Sequence, residues 1–206
     1  MALPELENDA LTARLLEAAV EVFTERGFEK AGVAEIARRA GVTTGAIYSR
    51  WTGKQELMLD AVDLVVSDQL EALLRADDHA ATDILSALGG QLLERSAAAD
   101  HLIAEAFVIA RRDPAFGEML HRRMAEEETR LSAVIDGGKR AGLIDPALST
   151  EAVVRLCQAI SIGFAMFGSI DRELPAADAW NAVIERLITA ALPDAAPVAS
   201  PTPTTP

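Results

Sequence analysis

A short stretch of the sequence carries side chains suited to contact with a groove of duplex DNA. Residues 43–50 combine small, hydroxyl-bearing, aromatic and basic side chains. Such groups can approach base edges and phosphates without steric or charge conflict. With the lysine at the start of the next predicted helix, the candidate DNA-binding residues are Thr43, Thr44, Gly45, Tyr48, Ser49, Arg50 and Lys54.

Charge is unevenly distributed along the chain. Between residues 26 and 54 six Lys and Arg side chains stand against two acidic ones, whereas the whole chain of 206 residues has a formal net charge of -13. Phosphate neutralisation supplies most of the non-specific affinity for DNA, so an acidic protein is a poor indiscriminate binder. A small basic element on an acidic body favours a protein that needs sequence-specific contacts to stay on DNA.

Two short helices around a glycine-containing turn must position these residues. The helical spacing of apolar residues predicts helices over residues 33–40 and 43–50, with Thr43 or Thr44 as the N-cap of the second. Gly41 supplies a positive φ in the turn, and the pattern is that of a helix-turn-helix. Small or apolar side chains are expected in the core that the two helices share: Ile36, Ala37, Val42, Ile47 and, after the second helix, Trp51.

Most of the remaining sequence also has helical periodicity, so the predicted fold class is all-α with about nine helices. A first helix is expected to end at Gly27, and a long fourth helix to run from Lys54 to about residue 76. Asp113 and Pro114 are typical of a helix N-terminus. Further helices are predicted over residues 81–98, 100–112, 115–141, 150–170 and 177–192.

The predicted helices divide the chain into three parts. Residues 9–54 form an N-terminal three-helix unit with the helix-turn-helix, and residues 55–192 form a helical bundle. Residues 193–206 are rich in proline and nearly lack large apolar side chains. Such a tail cannot bury enough surface to offset its ordering entropy, so it is expected to be disordered.

Residues 13–57 resemble the N-terminal domain of the TetR family of transcriptional regulators. The resemblance covers about a fifth of the chain and rests on residues at the family's spacing: Ala18, Ala19, Phe23, Gly27, Ile36, Ala37, Ala40, Gly41, Val42, Gly45, Tyr48, Trp51 and Lys54. It implies a homodimer that places two recognition helices in successive major grooves of a partly palindromic operator. It also implies that the bundle at residues 55–192 dimerises and binds a small-molecule effector, so that the chain is a ligand-responsive regulator, with repression as the leading hypothesis.

Carried over residue by residue, the resemblance implies DNA contact for Thr43, Thr44 and Gly45, which open the recognition helix. It implies a phosphate contact for Tyr48 and another for Lys54. Elementary electrostatics agrees at Lys54, because a helix N-terminus offers free amides and the positive end of its dipole to a phosphate.

The sequence departs from the family pattern at two positions. Ala31 replaces a threonine that is common at the start of the second helix, and Ala34 replaces a residue that is often polar or basic. These changes remove one phosphate or groove contact. Arg38, Arg39 or Arg50 can compensate, and the sequence does not decide which of them faces DNA.

The C-terminal unit contains candidates for an effector pocket. They are large apolar residues: Phe107, Phe116, Met119, Leu120, Phe164 and Phe167. A pocket of this kind favours a mostly apolar ligand, with His101, Glu105 or Arg111 to orient it. The last two helices resemble the dimerisation pair of the family, and Gly163 and Gly168 would let a partner helix approach closely.

Two other functions fit parts of the sequence. Glu118 and His121 form an E-x-x-H pair, which is half of the metal site of a helical-bundle metalloenzyme, but a second copy of this motif is missing. Ala31, Ala34 and the acidity of the chain instead fit a ligand-binding module without DNA binding. Neither a glycine-rich phosphate loop nor a nucleophile elbow occurs, so an enzyme is not expected, and neither is a cofactor.

A cytoplasmic location is expected. The N-terminus lacks the basic and continuous apolar regions of a secretory signal. Arg155, Asp171 and Arg172 bracket the longest apolar run, so no membrane span is expected. Cys157, the single cysteine, is interpreted as a small buried hydrophobic residue of a cytosolic protein.

Overall fold

The computed structural model describes residues 3–74, 92–93 and 95–193, and these residues form α-helices without any strand. The all-α fold class is therefore confirmed. Most of the predicted helix at residues 81–98, and all of the tail at 193–206 except its first residue, lie outside the described residues. The helices are α1 (Leu3–Lys30), α2 (Val33–Arg39), α3 (Thr44–Tyr48), α4 (Lys54–Leu74), α5 (Ala97–Ala110), α6 (Pro114–Arg140), α7 (Thr150–Gly168) and α8 (Ala177–Ala190).

Side-chain caps determine where helices of the C-terminal part begin. The Asp113 carboxylate accepts hydrogen bonds from two amides in the first turn of α6, at 3.0 and 3.2 Å, and Pro114 lies in that turn, as predicted. The Ser96 hydroxyl accepts an amide hydrogen bond of 3.2 Å at the start of α5. Because of this cap, α5 begins at Ala97 rather than at residue 100, where the apolar pattern places it.

The first helix breaks at Gly27, as predicted, and α1 continues beyond this kink to Lys30. Gly27 has φ 70° and ψ 164°, a conformation that L side chains rarely adopt. The Ala31 amide donates to the Gly27 carbonyl at 3.1 Å and so closes a further turn. A Cβ atom at residue 27 would also lie 3.1 Å from Oε1 of Glu105 in α5. Glycine therefore meets both a conformational and a packing requirement.

One apolar core joins the N-terminal helices to α5 and α6. Its fully buried members include Phe23, Ile36, Leu57, Met58, Leu102 and Phe116. The Phe28 ring lies 6.0 Å from the Phe23 ring and 6.1 Å from the Phe116 ring, measured between centroids. A smaller cluster, which includes Leu131 and Val154, lies between α6 and α7. Protein cores are close-packed, so the N-terminal helices and the bundle can shift against each other only by repacking this shared core.

The last two helices leave large apolar side chains exposed. Leu156 of α7 and Leu187 of α8 are about half exposed, and α8 makes only sparse contacts with any other described helix. By length and composition α7 could cross a membrane, which the sequence analysis did not expect. The charged residues Asp171 and Arg172, which were expected to interrupt the apolar run, lie beyond the end of this helix. Core helices of soluble proteins reach the same length and hydropathy, so this property is weak support for a membrane span. The exposed apolar side chains leave α7 and α8 with surface available for a partner.

The contact between α5 and α7 generates the first testable prediction. A Cβ atom at residue 168 would lie 1.8 Å from Oδ2 of Asp100 and 2.6 Å from its Cγ. Gly168→Ala is therefore expected to lower the free energy of unfolding by about 1–3 kcal/mol, the usual effect of overpacking a core. Urea unfolding followed by circular dichroism measures the change.

Gly137→Ala is the matched control for this prediction. Gly137 lies inside α6, and the nearest atom to a Cβ there is Nη2 of Arg140 at 3.8 Å. Alanine has the higher helix propensity, so this variant is expected to gain up to about 1 kcal/mol. Equal stability of the two variants would contradict the assigned packing of α5 against α7.

Candidate DNA-binding surface

The turn between α2 and α3 is fixed by backbone and side-chain contacts. Gly41 has φ 69°, as predicted, and the Val42 amide donates to the Ala37 carbonyl at 2.9 Å. From α1, the Arg14 guanidinium donates to the Ala40 carbonyl. These contacts hold the last turn of α2 and so determine the direction in which α3 leaves it.

Burial on one side holds α3, while its other side faces outward. Ile47 and Trp51 are only 1% and 3% exposed, so both lie in the core as predicted. The Trp51 indole Nε1–H donates to Oδ2 of Asp60 in α4 at 2.7 Å. The exposed side carries most of the predicted DNA-binding residues: Thr43, Thr44, Gly45, Tyr48 and Ser49.

Several polar groups on the exposed side of α3 are not used inside the protein. Thr43 is the backbone N-cap of α3, yet its side chain makes no capping hydrogen bond. The hydroxyls of Thr43, Thr44 and Tyr48 have no hydrogen-bond partner among the described residues, and Tyr48 is 60% exposed. The Ser49 hydroxyl, by contrast, donates to the Ala46 carbonyl at 3.0 Å. The free hydroxyls can therefore bind an external partner such as a phosphate or a base edge.

Arg50 lies at the edge of this surface and ties α3 to the start of α1. Its guanidinium donates to the Thr12 hydroxyl at 3.1 Å, to the Ala46 carbonyl at 3.0 Å and to the side chain of Asn8. It also donates to the Ser49 hydroxyl at 3.2 Å. With these donors engaged, Arg50 positions the exposed side of α3 rather than extending from it as a free cation.

Known proteins with this arrangement are DNA-binding regulators. Residues 15–61 match the family model described as bacterial regulatory proteins, tetR family. The N-terminal segment of the chain is thus similar to TetR-family regulators. The transcriptional activator FasR of Mycolicibacterium smegmatis is 41% identical over 78 residues, which are 36% of each chain. The transcriptional regulator TtgR of Pseudomonas putida is 31% identical over 139 residues, which are 63% of this chain and 61% of TtgR. The matches thus span only about a third and three fifths of these two relatives.

The fold also matches solved structures over most of its length. The transcriptional regulator FadR of Bacillus subtilis, crystallised in complex with stearoyl-CoA, superposes with a TM-score of 0.67. The match covers 87% of this chain and 98% of FadR at 18% sequence identity. At this identity the likeness establishes the fold alone. The predicted arrangement of an N-terminal helix-turn-helix and a C-terminal helical bundle is thereby confirmed.

An ion-pair network joins α2 to α1 in the TetR-family domain. Arg39 pairs with Glu21 and Glu25 of α1, and its Nε lies 3.4 Å from Oε1 of Glu35 in its own helix. The Glu35 carboxylate also accepts hydrogen bonds of 3.0 and 2.7 Å from Arg38, which lower the pKa of Glu35 to about 2. Arg39 therefore faces α1, whereas the Arg38 side chain is 69% exposed. Of these two arginines, Arg38 is the one available to DNA.

The structure assigns Lys54 differently from the sequence analysis, which expects it to bind a phosphate. Its ammonium donates to the carbonyls of Phe28, Glu29 and Ala31, at 2.7, 3.4 and 3.2 Å. It also lies 4.3 Å from the centroid of the Phe28 ring. The three donors of a lysine are thus used on the turn between α1 and α2. The spacing of Lys54 relative to α3 does not reveal these partners.

A second set of contacts, not found by the sequence analysis, ties the TetR-family domain to the bundle. The Glu105 carboxylate of α5 accepts a hydrogen bond from the Phe28 amide at the kink of α1. The Phe28 ring packs edge-on against Phe116 of α6. Glu105, expected to orient a ligand, thus has a structural partner 77 positions away, which sequence spacing cannot reveal.

A series of polar side-chain contacts connects Trp51, just after α3, to α6. Trp51 donates to Asp60 of α4, and Arg123 of α6 forms ion pairs with Asp60 and with Asp63. Burial raises the pKa of the Asp63 carboxyl, against the opposing effect of the Arg123 charge. Arg123 and Asp60 are 63 positions apart, so no local motif marks the pair. Through it, a shift of α6 would reach Trp51, which follows the end of the recognition helix.

The structure does not gather the six predicted pocket residues around one site. Phe116 is fully buried in the core shared with the DNA-binding domain, and Phe107, Met119 and Leu120 pack against that core. Phe164 lies 4.7 Å from the Trp180 ring of α8, whereas Phe167 is 48% exposed. The pocket prediction selected large apolar residues. The type of a residue does not tell which side of its helix faces the interior of the bundle.

The E-x-x-H pair lies on the outside of α6. Glu118 and His121 are both exposed. Among the described residues, no group of three or more acidic, His or Cys side chains is arranged to hold a metal ion.

Lys54 provides a prediction that separates structural from phosphate-binding roles. Lys54→Met leaves three carbonyls without their charged donor, so it is expected to destabilise the domain by about 1–3 kcal/mol. Thermal unfolding measures this loss. Lys30→Met is the control, because Lys30 is exposed and has no partner among the described residues. A Lys54→Met variant of unchanged stability, whose DNA binding has a salt dependence flatter by about one unit per half-site, would instead support the phosphate contact.

Glu35 provides a prediction on acid stability. Its pKa is lowered from 4.5 to about 2 in the folded protein, so its ion pairs stabilise the fold above pH 4.5 and lose this effect as the pH falls towards 2. Glu35→Gln is therefore expected to lower the Tm at pH 6, and its difference from the parent chain should vanish as pH approaches 2. Differential scanning calorimetry at several pH values measures the difference. Glu17→Gln is the control, because Glu17 is exposed and unpaired among the described residues; a constant Glu35→Gln difference would refute the assignment.

Proposed function

We propose that this chain is a DNA-binding transcriptional regulator that acts in the cytoplasm as a homodimer on a partly palindromic operator. The observation that carries the proposal is the exposed side of α3, where the hydroxyls of Thr43, Thr44 and Tyr48 have no partner among the described residues. The major groove is wide enough for a helix and presents hydrogen-bonding groups on every base pair. The match of residues 15–61 to the tetR family of bacterial regulatory proteins supports the same function.

The residues of the surface divide into direct and indirect contributors. We assign base-edge contacts to Thr43, Thr44 and Gly45, which open α3, and a phosphate contact to Tyr48. The Ser49 hydroxyl is already bound to the Ala46 carbonyl. Arg50 and Lys54 act indirectly, since the donors of Arg50 already bind the start of α1 and those of Lys54 bind the turn between α1 and α2. Small uncharged groups then carry the recognition, so specificity depends on groove contacts more than on charge.

Dimerisation follows from the shortness of α3 and from the exposed apolar surface of the last two helices. One recognition helix reads too few base pairs, whereas a twofold dimer places two of them about 34 Å apart, one turn of DNA. Leu156 and Phe167 of α7, with Val183 and Leu187 of α8, provide exposed apolar surface for a second copy. At Gly163 of α7 no atom lies within 4 Å of an added Cβ, which leaves room for a partner helix.

A small, mostly apolar effector is proposed to bind within residues 55–192 and to release the DNA, which makes the chain a repressor. The structural neighbour FadR was crystallised with stearoyl-CoA, so this fold can hold an effector. In the present chain, Trp51, Asp60 and Arg123 connect α3 to α6. Effector and DNA must oppose each other reciprocally, because linkage makes each weaken the binding of the other by the same factor.

The proposed recognition is tested with an operator selected from random duplex DNA. Tyr48→Phe removes only an exposed hydroxyl, so it is expected to leave the Tm unchanged and to weaken operator binding about tenfold per half-site, as for a lost hydrogen bond to a charged group. Fluorescence anisotropy of labelled DNA measures the affinity. Insertion of about half a helical turn between the half-sites should abolish binding by a twofold dimer.

Thr129→Val is the matched control for the recognition experiment. Thr129 is also exposed but lies on α6, away from α3, and its hydroxyl donates to the Ala125 carbonyl at 2.9 Å. This variant should bind the operator with the affinity of the parent chain. Failure to select any DNA sequence would contradict the proposal and would favour a ligand-binding module without DNA binding.

A further inference from the structure

A buried polar cluster lies where the start of α5 meets α7. The Arg95 side chain is 4% exposed and that of Asp100 is 7% exposed. The Arg95 guanidinium donates to the Ser161 hydroxyl at 2.7 Å and to the Ser161 carbonyl at 3.0 Å. Its Nη1 lies 3.5 Å from Oδ1 of Asp100, too far for a strong hydrogen bond. The two buried charges are thus only loosely paired.

Two atoms of this cluster and one atom of the neighbouring Gln158 have no hydrogen-bond partner among the described residues. They are Nε of Arg95, Oδ1 of Asp100 and Nε2 of Gln158. Gln158 is 6% exposed and lies one turn before Ser161, on the same side of α7, and its Oε1 accepts a hydrogen bond of 3.2 Å from Arg155. Buried polar groups are nearly always paired, because each unpaired one costs about 1–3 kcal/mol. Two donors and one acceptor therefore remain for a further molecule.

The surroundings of the cluster are apolar along both helices. Ile103 lies one turn after Asp100, and Ala165 lies one turn after Ser161; both are buried. Burial accordingly raises the pKa of the Asp100 carboxyl and lowers that of Arg95. A ligand that reaches these polar atoms must therefore present apolar surface to the flanking side chains.

The charges near the cluster disfavour an ionised ligand. Asp100 already offsets the charge of Arg95, and the Glu127 carboxyl of α6 also interacts with Arg95. Burial raises the pKa of Glu127, the Arg130 charge opposes this effect, and the nearby Asp63 charge adds to it. Within the cluster, an incoming carboxylate would meet the Asp100 carboxylate, which already offsets the Arg95 charge. An incoming ammonium would find the unpaired donors of Arg95 and Gln158 facing it.

We propose that Arg95, Asp100 and Gln158 bind the uncharged polar end of the effector, with a primary carboxamide as the best match. Its carbonyl accepts from Nε of Arg95 or Nε2 of Gln158, and its amino group donates to Oδ1 of Asp100. The effector class is an amphipathic molecule with a neutral head that both donates and accepts, and with an apolar body. This inference rests on the proposed effector-responsive function and specifies the chemistry of its ligand.

The test compares three probes that share one tail and differ only in the head group. Octanamide, octanoate and octylammonium are titrated into the full chain by isothermal titration calorimetry. Octanamide is expected to bind about tenfold more tightly than either ion, the effect of one well-placed hydrogen bond to a charged group. Equal or tighter binding of octanoate, or no saturable binding of octanamide, would overturn the proposal.

Gln158→Leu tests the site without disturbing the ion pair. The variant keeps the size of the side chain and removes both the unpaired donor and the acceptor of the Arg155 hydrogen bond, so its Tm is expected to stay close to that of the parent chain. Its affinity for octanamide should fall about tenfold and approach its affinity for octanoate. Gln55→Leu, at an exposed glutamine in α4, is the control and should change no probe affinity. Unchanged octanamide binding by Gln158→Leu would remove Gln158 from the site.

Operator binding is measured in parallel so that the two proposals can fail separately. A chain that binds operator but shows no preference among the head groups retains the regulatory function and loses the carboxamide site. A chain that prefers octanamide but selects no DNA sequence retains the site and loses the regulatory function. Release of operator by octanamide, reduced in Gln158→Leu, would support both.

Discussion

Burial of Ile47 and Trp51 in the core shared by α1, α2 and α4 is the contact on which the proposed DNA-binding surface depends. The recognition helix α3 has five residues, far fewer than an isolated helix needs for stability in water. Its conformation and direction therefore come from packing and from the turn at Gly41. Ile47 buries one side of α3, and Trp51 anchors the segment that follows the helix. The other side of α3 is therefore not needed for packing and can present small residues and free hydroxyls.

The same core extends into the bundle and makes the position of α3 sensitive to it. Phe28 packs against Phe116, its amide binds Glu105 and its carbonyl binds Lys54. The Asp60 carboxylate joins α3, α4 and α6 through separate oxygen atoms. A change in the packing of α6 therefore acts on both the kink of α1 and the end of α3, which gives an effector a physical route to the DNA-binding surface.

Most of the basic side chains near the recognition helix already bind partners inside the folded domain. Arg39 pairs with carboxylates of α1, and Arg50 binds the start of α1. Lys54 donates to carbonyls of the turn between α1 and α2. Arg38 is exposed but shares Glu35. The number of basic residues in the sequence thus overstates the charge that faces DNA. A regulator built in this way depends on base and backbone hydrogen bonds, which agrees with the acidity of the whole chain.

The sequence by itself determined the all-α class, the helix-turn-helix with Gly41 in its turn, the Asp113 cap and the burial of Ile47 and Trp51. These features are local, because helical periodicity and backbone preferences act over a few residues. Only the tertiary structure decided the partners of Lys54, the contact of Glu105 with the Phe28 amide and the polar cluster at Arg95. Such partners lie tens of positions apart along the chain, and packing alone determines which side of each helix meets them.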